Sequence, residues 1–243
     1  HARAGVLNTT HGPIETPAFM PVATQGSVKA IAPDDLSALG ATILLSNTYH
    51  LMLRPGIEVV HKLGGLQAFM GWPGPILTDS GGFQTFSLGR LKKVSEEGVL
   101  FRSHIDGGER FLSPEMSLEY QALLGADIAM VLDECPPYGL EEAQVREAMD
   151  RTHRWARRCK EAHRRKEQAL FAVVQGGVTP ALRLESAATL VSMEFDGYAV
   201  GGLSVGEPKA TMYSMAALMG ETLPHDKPRY LMGVGSPEDL IEC

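Results

Sequence analysis

Seven times along this chain a short apolar run stops abruptly at a polar or glycine residue, and no other feature limits the fold so narrowly. The runs are Ala18 to Val22 before Thr24-Gln25-Gly26, Ile43 to Leu45 before Ser46-Asn47-Thr48, and Pro75 to Leu77 before Thr78-Asp79-Ser80. They continue with Ile128 to Leu132 before Asp133-Glu134-Cys135, Leu170 to Val174 before Gln175-Gly176-Gly177, Tyr198 to Val200 before Gly201-Gly202, and Tyr230 to Met232 before Gly233. Short continuous apolar runs read as strands buried on both faces, as in parallel sheets. Helical patterns lie between them. Pro33-Asp34-Asp35, Ser113-Pro114-Glu115 and Ser236-Pro237-Glu238 each put proline in a first turn with acids near the positive end of the dipole. Strands alternating with helices imply right-handed β-α-β units and a parallel sheet. A doubly wound open sheet would accommodate the pattern. Functional-looking residues at nearly every strand end favour a (β/α)8 TIM barrel, whose active site is assembled from its strand ends. About seven β-α units are present, and Val94 to Phe111 breaks the rhythm as an inserted hairpin around Asp106-Gly107-Gly108, over the barrel mouth.

The stretch PILTDSGGFQTFSL, from Pro75 to Leu88, shows the strand-end pattern most sharply. Gly81-Gly82 permits a sharp turn or a close approach of backbone to a ligand, and Phe83 offers a flat apolar face beside Asp79. The plainer alternative makes Asp79 or Ser80 the N-cap of a helix carrying Phe86 and Leu88.

A chain of 243 residues with 44% hydrophobic content can bury a full core, and residues 1–243 are expected to form one barrel domain. The net charge of -7 does not point to nucleic acid, yet nine of the 22 basic residues fall between Arg146 and Lys166. That segment is either a solvated, ion-paired helix face or a phosphate-facing patch. Cys135, Cys159 and Cys243 are too few and too widely spaced for a disulfide framework, which points to a reducing, cytoplasmic compartment. No apolar stretch is long enough to span a membrane. The first residue is His1 instead of Met, so the translated chain is expected to be longer.

If the strand ends converge, as a barrel requires, they bring together two acids (Asp79, Asp133), two amides (Asn47, Gln175), the Gly201-Gly202 backbone, and apolar faces at Phe83 and Met232. An ionised Asp accepts two hydrogen bonds side by side, while a Gln amide donates and accepts. That set matches a guanine-like edge, with N1–H and an exocyclic amine as donors and O6 as acceptor. Phe83 and Met232 would sandwich the ring.

TPAFMPVATQGSVKA, LSNTYHLMLRPG, GGLQAFMGWPGPILTDSGGFQTFSL, FRSHIDGGERFLSPE, VLDECPP, VVQGG, DGYAVGGLSVGEP and RYLMGVGSPEDL resemble, in order, the signature blocks of the tRNA-guanine transglycosylases. The resemblance covers essentially the whole chain. It implies a (β/α)8 barrel with an appended zinc-binding element, a bacterial homodimer, and an enzyme acting on tRNA with a GUN anticodon. Guanine at the wobble position would be exchanged for a 7-deazaguanine base on the way to queuosine, by double displacement through a covalent tRNA intermediate. Carried over, the resemblance makes Asp133 and Gln175, with the backbone of Gly202 and Leu203, the binders of the base. Phe83 and Met232 stack on it, Ser80 lines the pocket, and Asp79 is the general acid/base, held by Asn47. Burial would raise the pKa of Asp79 and hydrogen bonds from Asn47 would lower it.

The resemblance also implies an eighth strand with the nucleophilic aspartate and, beyond it, Cys and His ligands for Zn2+. These are expected to lie outside the sequence, which stops at Cys243. Cys135 and Val205 point to 7-aminomethyl-7-deazaguanine as the incoming base instead of the bulkier queuine, with Glu207 orienting its aminomethyl group through the Leu203 backbone. Two other readings stand. One is a barrel acting on a small sugar phosphate, cradled by Gly201-Gly202 and Gly233 to Gly235; the other is a non-catalytic partner subunit of the same family.

Overall fold

The computed structural model describes residues 3–87 and 92–243; His1, and Leu88 on the expected helix after Gly82, lie outside the described residues. Two compact units are formed, one by the residues up to Leu132 with Cys159–Leu170, the other by Asp133–Arg158 with Phe171–Cys243.

The first unit opens on a hairpin, β1 (Gly5–Thr9) and β2 (Gly12–Thr16). There follow β3 (Val22–Ala23), α1 (Pro33–Ala38), β4 (Leu44–Asn47), α2 (Thr48–Leu53), α3 (Ile57–Lys62), α4 (Gly65–Met70), β5 (Ile76–Asp79) and α5 (Gly82–Ser87). An antiparallel sheet of β6 (Lys92–Val94), β7 (Val99–Arg102) and β8 (Glu109–Leu112) precedes α6 (Pro114–Leu124) and β9 (Ile128–Met130). Next come α7 (Glu142–Ala162) and β10 (Ala169–Val174), each with residues in both units. The second unit is completed by α8 (Pro180–Val191), β11 (Gly197–Val200), α9 (Lys209–Thr222), β12 (Arg229–Leu231) and α10 (Pro237–Glu242).

Six of the seven expected strands form at their runs; the first is displaced, with β3 at Val22–Ala23 and no strand over residues 18–21. In the first unit β3, β4, β5 and β9 pair in parallel in that order, and in the second β10, β11 and β12 do the same. Strand order follows chain order within each unit, without the reversal that marks a doubly wound sheet. The fold is α/β, built from the β-α units of TIM-barrel-like proteins. Every residue of β4, β5, β9 and β11 is buried, as strands covered on both faces must be. Pro33, Pro114 and Pro237 start their helices as expected, and Ser113 and Ser236 accept from the N–H groups of Met116 and Asp239 at 3.2 and 3.3 Å.

The segment expected to be one hairpin is larger, because β6 adds a third strand through a turn at Gly98. A Cβ at Gly98 would meet the Leu112 carbonyl oxygen at 2.3 Å, so only glycine lets β7 leave this turn beside β8. The sheet packs on the ends of β4 and β5. The Phe101 ring lies 5.4 Å from that of Tyr49, and a Cβ at Gly81 would touch Leu112 at 3.4 Å.

The opening hairpin was not expected from sequence, and one buried carboxylate anchors it. Asp127 accepts from the His11 backbone at 3.1 Å, from His11 Nδ1 at 2.8 Å, from Gln67 Nε2 at 3.1 Å and from the Ile76 backbone at 3.0 Å. It thereby ties β1–β2, α4 and the start of β5 to one group. Replacing Asp127 by Ala would strand the buried Ile76 N–H and release the hairpin, so a loss of about 3 kcal/mol is expected. A urea melt checks it: the midpoint should drop at unchanged slope.

Candidate functional site

In the first unit the register of β4 against β5 sets Asn47 opposite Asp79, each the last residue of its strand. Neighbouring parallel strands present paired residues on the same face, so the Asn47 amide reaches the Asp79 carboxylate directly, Nδ2 donating to Oδ2 in a short hydrogen bond. Three further donors converge: Thr48 N–H on Oδ1 at 3.0 Å, Gln84 Nε2 on Oδ2 at 2.9 Å and Gly81 N–H on Oδ1 at 3.2 Å. Asp79 is 8% exposed. Burial pushes its pKa from the ordinary 3.8 up to about 6, and the donors from Asn47, Thr48, Gln84 and Gly81 only partly offset it. Ser80 keeps the plainer role as well: its hydroxyl accepts from the Gly82 N–H at 3.2 Å where α5 begins. Phe83 is 47% exposed and presents its ring to solvent.

In the second unit Asp133 and Gln175 meet. Gln175 Nε2 donates to Asp133 Oδ2 at 2.7 Å, and both residues are buried. Gln175 Oε1 is buried and has no hydrogen-bond partner among the described residues. It lies across Gly202, where a Cβ would come within 2.4 Å of it, and Gly202 has φ +63°. Glycine here serves the approach of the Gln175 amide, which speaks for base recognition over a phosphate cradle. Leu203 and Cys135 are buried beside this pair. Burial, reinforced by the Asp133 carboxylate, pushes the Cys135 thiol up to about 12, so it stays protonated at neutral pH. Val205 stands in the wall of a small recess of about 70 Å³ shared with Tyr138, Val178 and Gly202. Met232 is half-buried, its N–H bonded to the Val200 carbonyl at 3.2 Å. Glu207 accepts from the Ser204 and Val205 N–H groups, and the first of these belongs to the same planar peptide as the Leu203 carbonyl, so the carboxylate reaches the Leu203 backbone through that amide.

Two features escaped the sequence reading. Gln84 gave no signal beyond its place in a short helix. Arg183 looked like any helix-surface arginine in LRLESA, yet it is wholly buried. The basic run, in turn, is in part an ion-paired face: Arg146 meets Glu185 at 2.9 Å, Arg151 meets Glu134 and Glu147, and Arg165 meets Glu167 at 2.8 Å. Among the described residues no three His, Cys, Asp or Glu side chains gather to hold a metal, and the buried Cys135 thiol is a poor ligand. The residues described therefore do not fit the expected Zn2+. No described helix is long and apolar enough to cross a membrane.

A family model described as queuine tRNA-ribosyltransferase matches residues 1–243, and the chain belongs to that family. It is 58% identical over 241 residues to a queuine tRNA-ribosyltransferase of Pelotomaculum thermopropionicum, covering 99% of this chain and 65% of the relative. It is 58% identical over 243 residues to one from Thermoanaerobacter sp., covering 100% of this chain and 65% of the relative. Against one from Staphylococcus aureus the identity is 56% over 243 residues, with 100% and 64% covered. The chain thus spans about 65% of the length of the curated relatives it matches.

The raised Asp79 pKa has a consequence for stability. The folded protein holds this proton to higher pH than the unfolded chain, so the group's contribution is most favourable below about pH 4 and is lost as pH rises to about 6. At 1.36 kcal/mol per pH unit the loss is about 3 kcal/mol. Urea unfolding of wild type and Asp79→Asn at several pH values between 4 and 7 checks it. Wild type should lose stability relative to the variant up to about pH 6 and run parallel above; parallel curves throughout would contradict the assignment.

Proposed function

We propose that this chain acts in tRNA-guanine transglycosylation, exchanging guanine at the wobble position of a GUN anticodon for 7-aminomethyl-7-deazaguanine. The observation that carries the reading is the buried Asp133–Gln175 pair with its unpartnered Oε1. A buried acceptor without a donor costs about 1–3 kcal/mol, which a ligand N–H relieves. Asp133 takes the base N1–H and one proton of the exocyclic amine, Gln175 Oε1 takes the other, and the Gly202 and Leu203 N–H groups face O6. Cys135 and Val205 border the substituent at position 7, and Met232 offers a stacking face. The enzyme works in the cytoplasm as a homodimer.

In the double displacement, a carboxylate attacks C1′ of the nucleotide and guanine departs with the electrons of the glycosidic bond. The incoming base then loses its N9 proton, attacks C1′ and expels the carboxylate. The attacking carboxylate is not assigned to a residue of this chain. Asp79 suits the proton transfers, giving a proton to departing guanine and taking one from the incoming base. A carboxyl titrating near 6 is closer to working pH than an ordinary aspartate, which favours both directions.

Two outcomes test the reading. Asp133→Ala should keep the fold and lose guanine recognition by a few kcal/mol, because the ligand's donors are left unpaired. Exchange of labelled guanine into tRNA measures it, and near wild-type kcat/KM in the variant would exclude Asp133 from the pocket. The small recess walled by Val205 also predicts poor use of queuine, whose cyclopentenediol needs more room. Efficient incorporation of labelled queuine by the wild type would defeat that specificity.

A further inference from the structure

Arg183 is a buried cation held by backbone carbonyls. Its Nε donates to the Gly177 carbonyl at 2.7 Å and Nη1 to that of Val174 at 3.4 Å. Nη2 is shared between the carbonyls of Gly201 at 2.8 Å and Gly202 at 3.3 Å. One guanidinium therefore joins the ends of β10 and β11, the two strands that deliver Gln175 and Gly202. Its location in the first turn of α8 is unfavourable for a cation, since the helix dipole is positive there. A residue needed only to fill that space would do better as a hydrophobe of similar volume.

We propose that Arg183 is the positioning residue of the base site: by fixing the Gly201 and Gly202 carbonyls it aims the Gly202 and Leu203 N–H groups at the bound base. The proposal rests on the base-site reading above. The geometry follows from peptide planarity. In a trans peptide the C=O of one residue and the N–H of the next point in opposite directions. Turning the Gly201 carbonyl to Arg183 directs the Gly202 N–H away from it, and the Gly202 carbonyl does the same for Leu203. Among the described residues no backbone carbonyl takes either N–H, and the Gly202 N–H lies within hydrogen-bond reach of the Cys135 sulfur, at the wall of the base site. Glycine at 202, with φ +63°, permits the turn, and the Gln175 amide packed on it leaves no room for a side chain. The cation also polarises both peptides, making their N–H groups stronger donors to an oxygen such as O6. Burial lowers the Arg183 pKa only to about 10, so it is charged at any working pH.

The test uses Arg183→Met and Arg183→Lys in the full protein, with Arg146→Met as a surface control. Backbone amide resonances report the peptides, calorimetry reports guanine binding, and thermal melting reports the fold. With the fold kept, Arg183→Met should move the Gly202 and Leu203 resonances well beyond the control and weaken guanine binding at least tenfold. Arg183→Lys keeps the charge without the planar fork. It should fold, still shift both resonances and still lose at least fivefold, which keeps the test decisive should the Met variant not fold. Unmoved resonances in a folded variant, or guanine affinity within twofold of wild type, would overturn the proposal. Failure of the wild type to bind guanine would instead sink the base-site reading, with the resonances still deciding whether Arg183 sets the two peptides.

Discussion

Strands buried on both faces deny their terminal residues access to water, and the arrangement at each strand end follows from that. Asn47 and Asp79 close adjacent parallel strands in register, so the amide is the carboxylate's nearest available donor. The turn that follows supplies the rest, because the Thr48, Gly81 and Gln84 donors all lie within a few residues of the two strand ends. The same constraint acts where β10 and β11 run side by side, Val174 opposite Val200. The next residues emerge so close together that a Cβ at Gly201 would lie 2.5 Å from Val173 Cγ1 and 2.9 Å from Gln175 Nε2. Glycine is the steric condition for placing an amide there.

Each unit buries a charge without an opposite charge bonded to it, and handles it by backbone and amide dipoles. Asp79 receives four donors, two of them backbone N–H groups; Arg183 is ringed by four carbonyls. Dipoles compensate burial only partly, which leaves the acid near 6 and the cation near 10. The two results serve different ends. A carboxyl near 6 exchanges protons readily close to neutral pH, whereas a cation that keeps its charge at working pH is a fixed element of geometry and field.

Much of this was legible in the residues. Six of the seven strands, the proline-led helices and the Asp79, Asp133 and Gln175 strand ends were read from apolar runs and their stops, because burial on both faces leaves an unbroken apolar signature. The opening hairpin was missed since its strands are half exposed and its anchor, Asp127, lies far along the chain. The third strand β6 was missed because three residues carry too little periodicity to register. The basic run from Arg146 to Lys166 left two readings open, and acids from elsewhere in the chain, Glu134 and Glu185, favoured the ion-paired one.

The order of the main strands and helices, the residue types at each strand end and the family to which the chain belongs are all carried by the residues themselves. Which groups those residues serve depends on the folded arrangement. Asp79 titrates near 6 because of how deeply it is buried, and Arg183 clamps two loops because four carbonyl oxygens surround it. The physical reason is that backbone carbonyls and N–H groups are the same at almost every residue. A side chain that bonds to them leaves no complementary partner in the sequence, and the partner exists only once the chain has brought those peptides together.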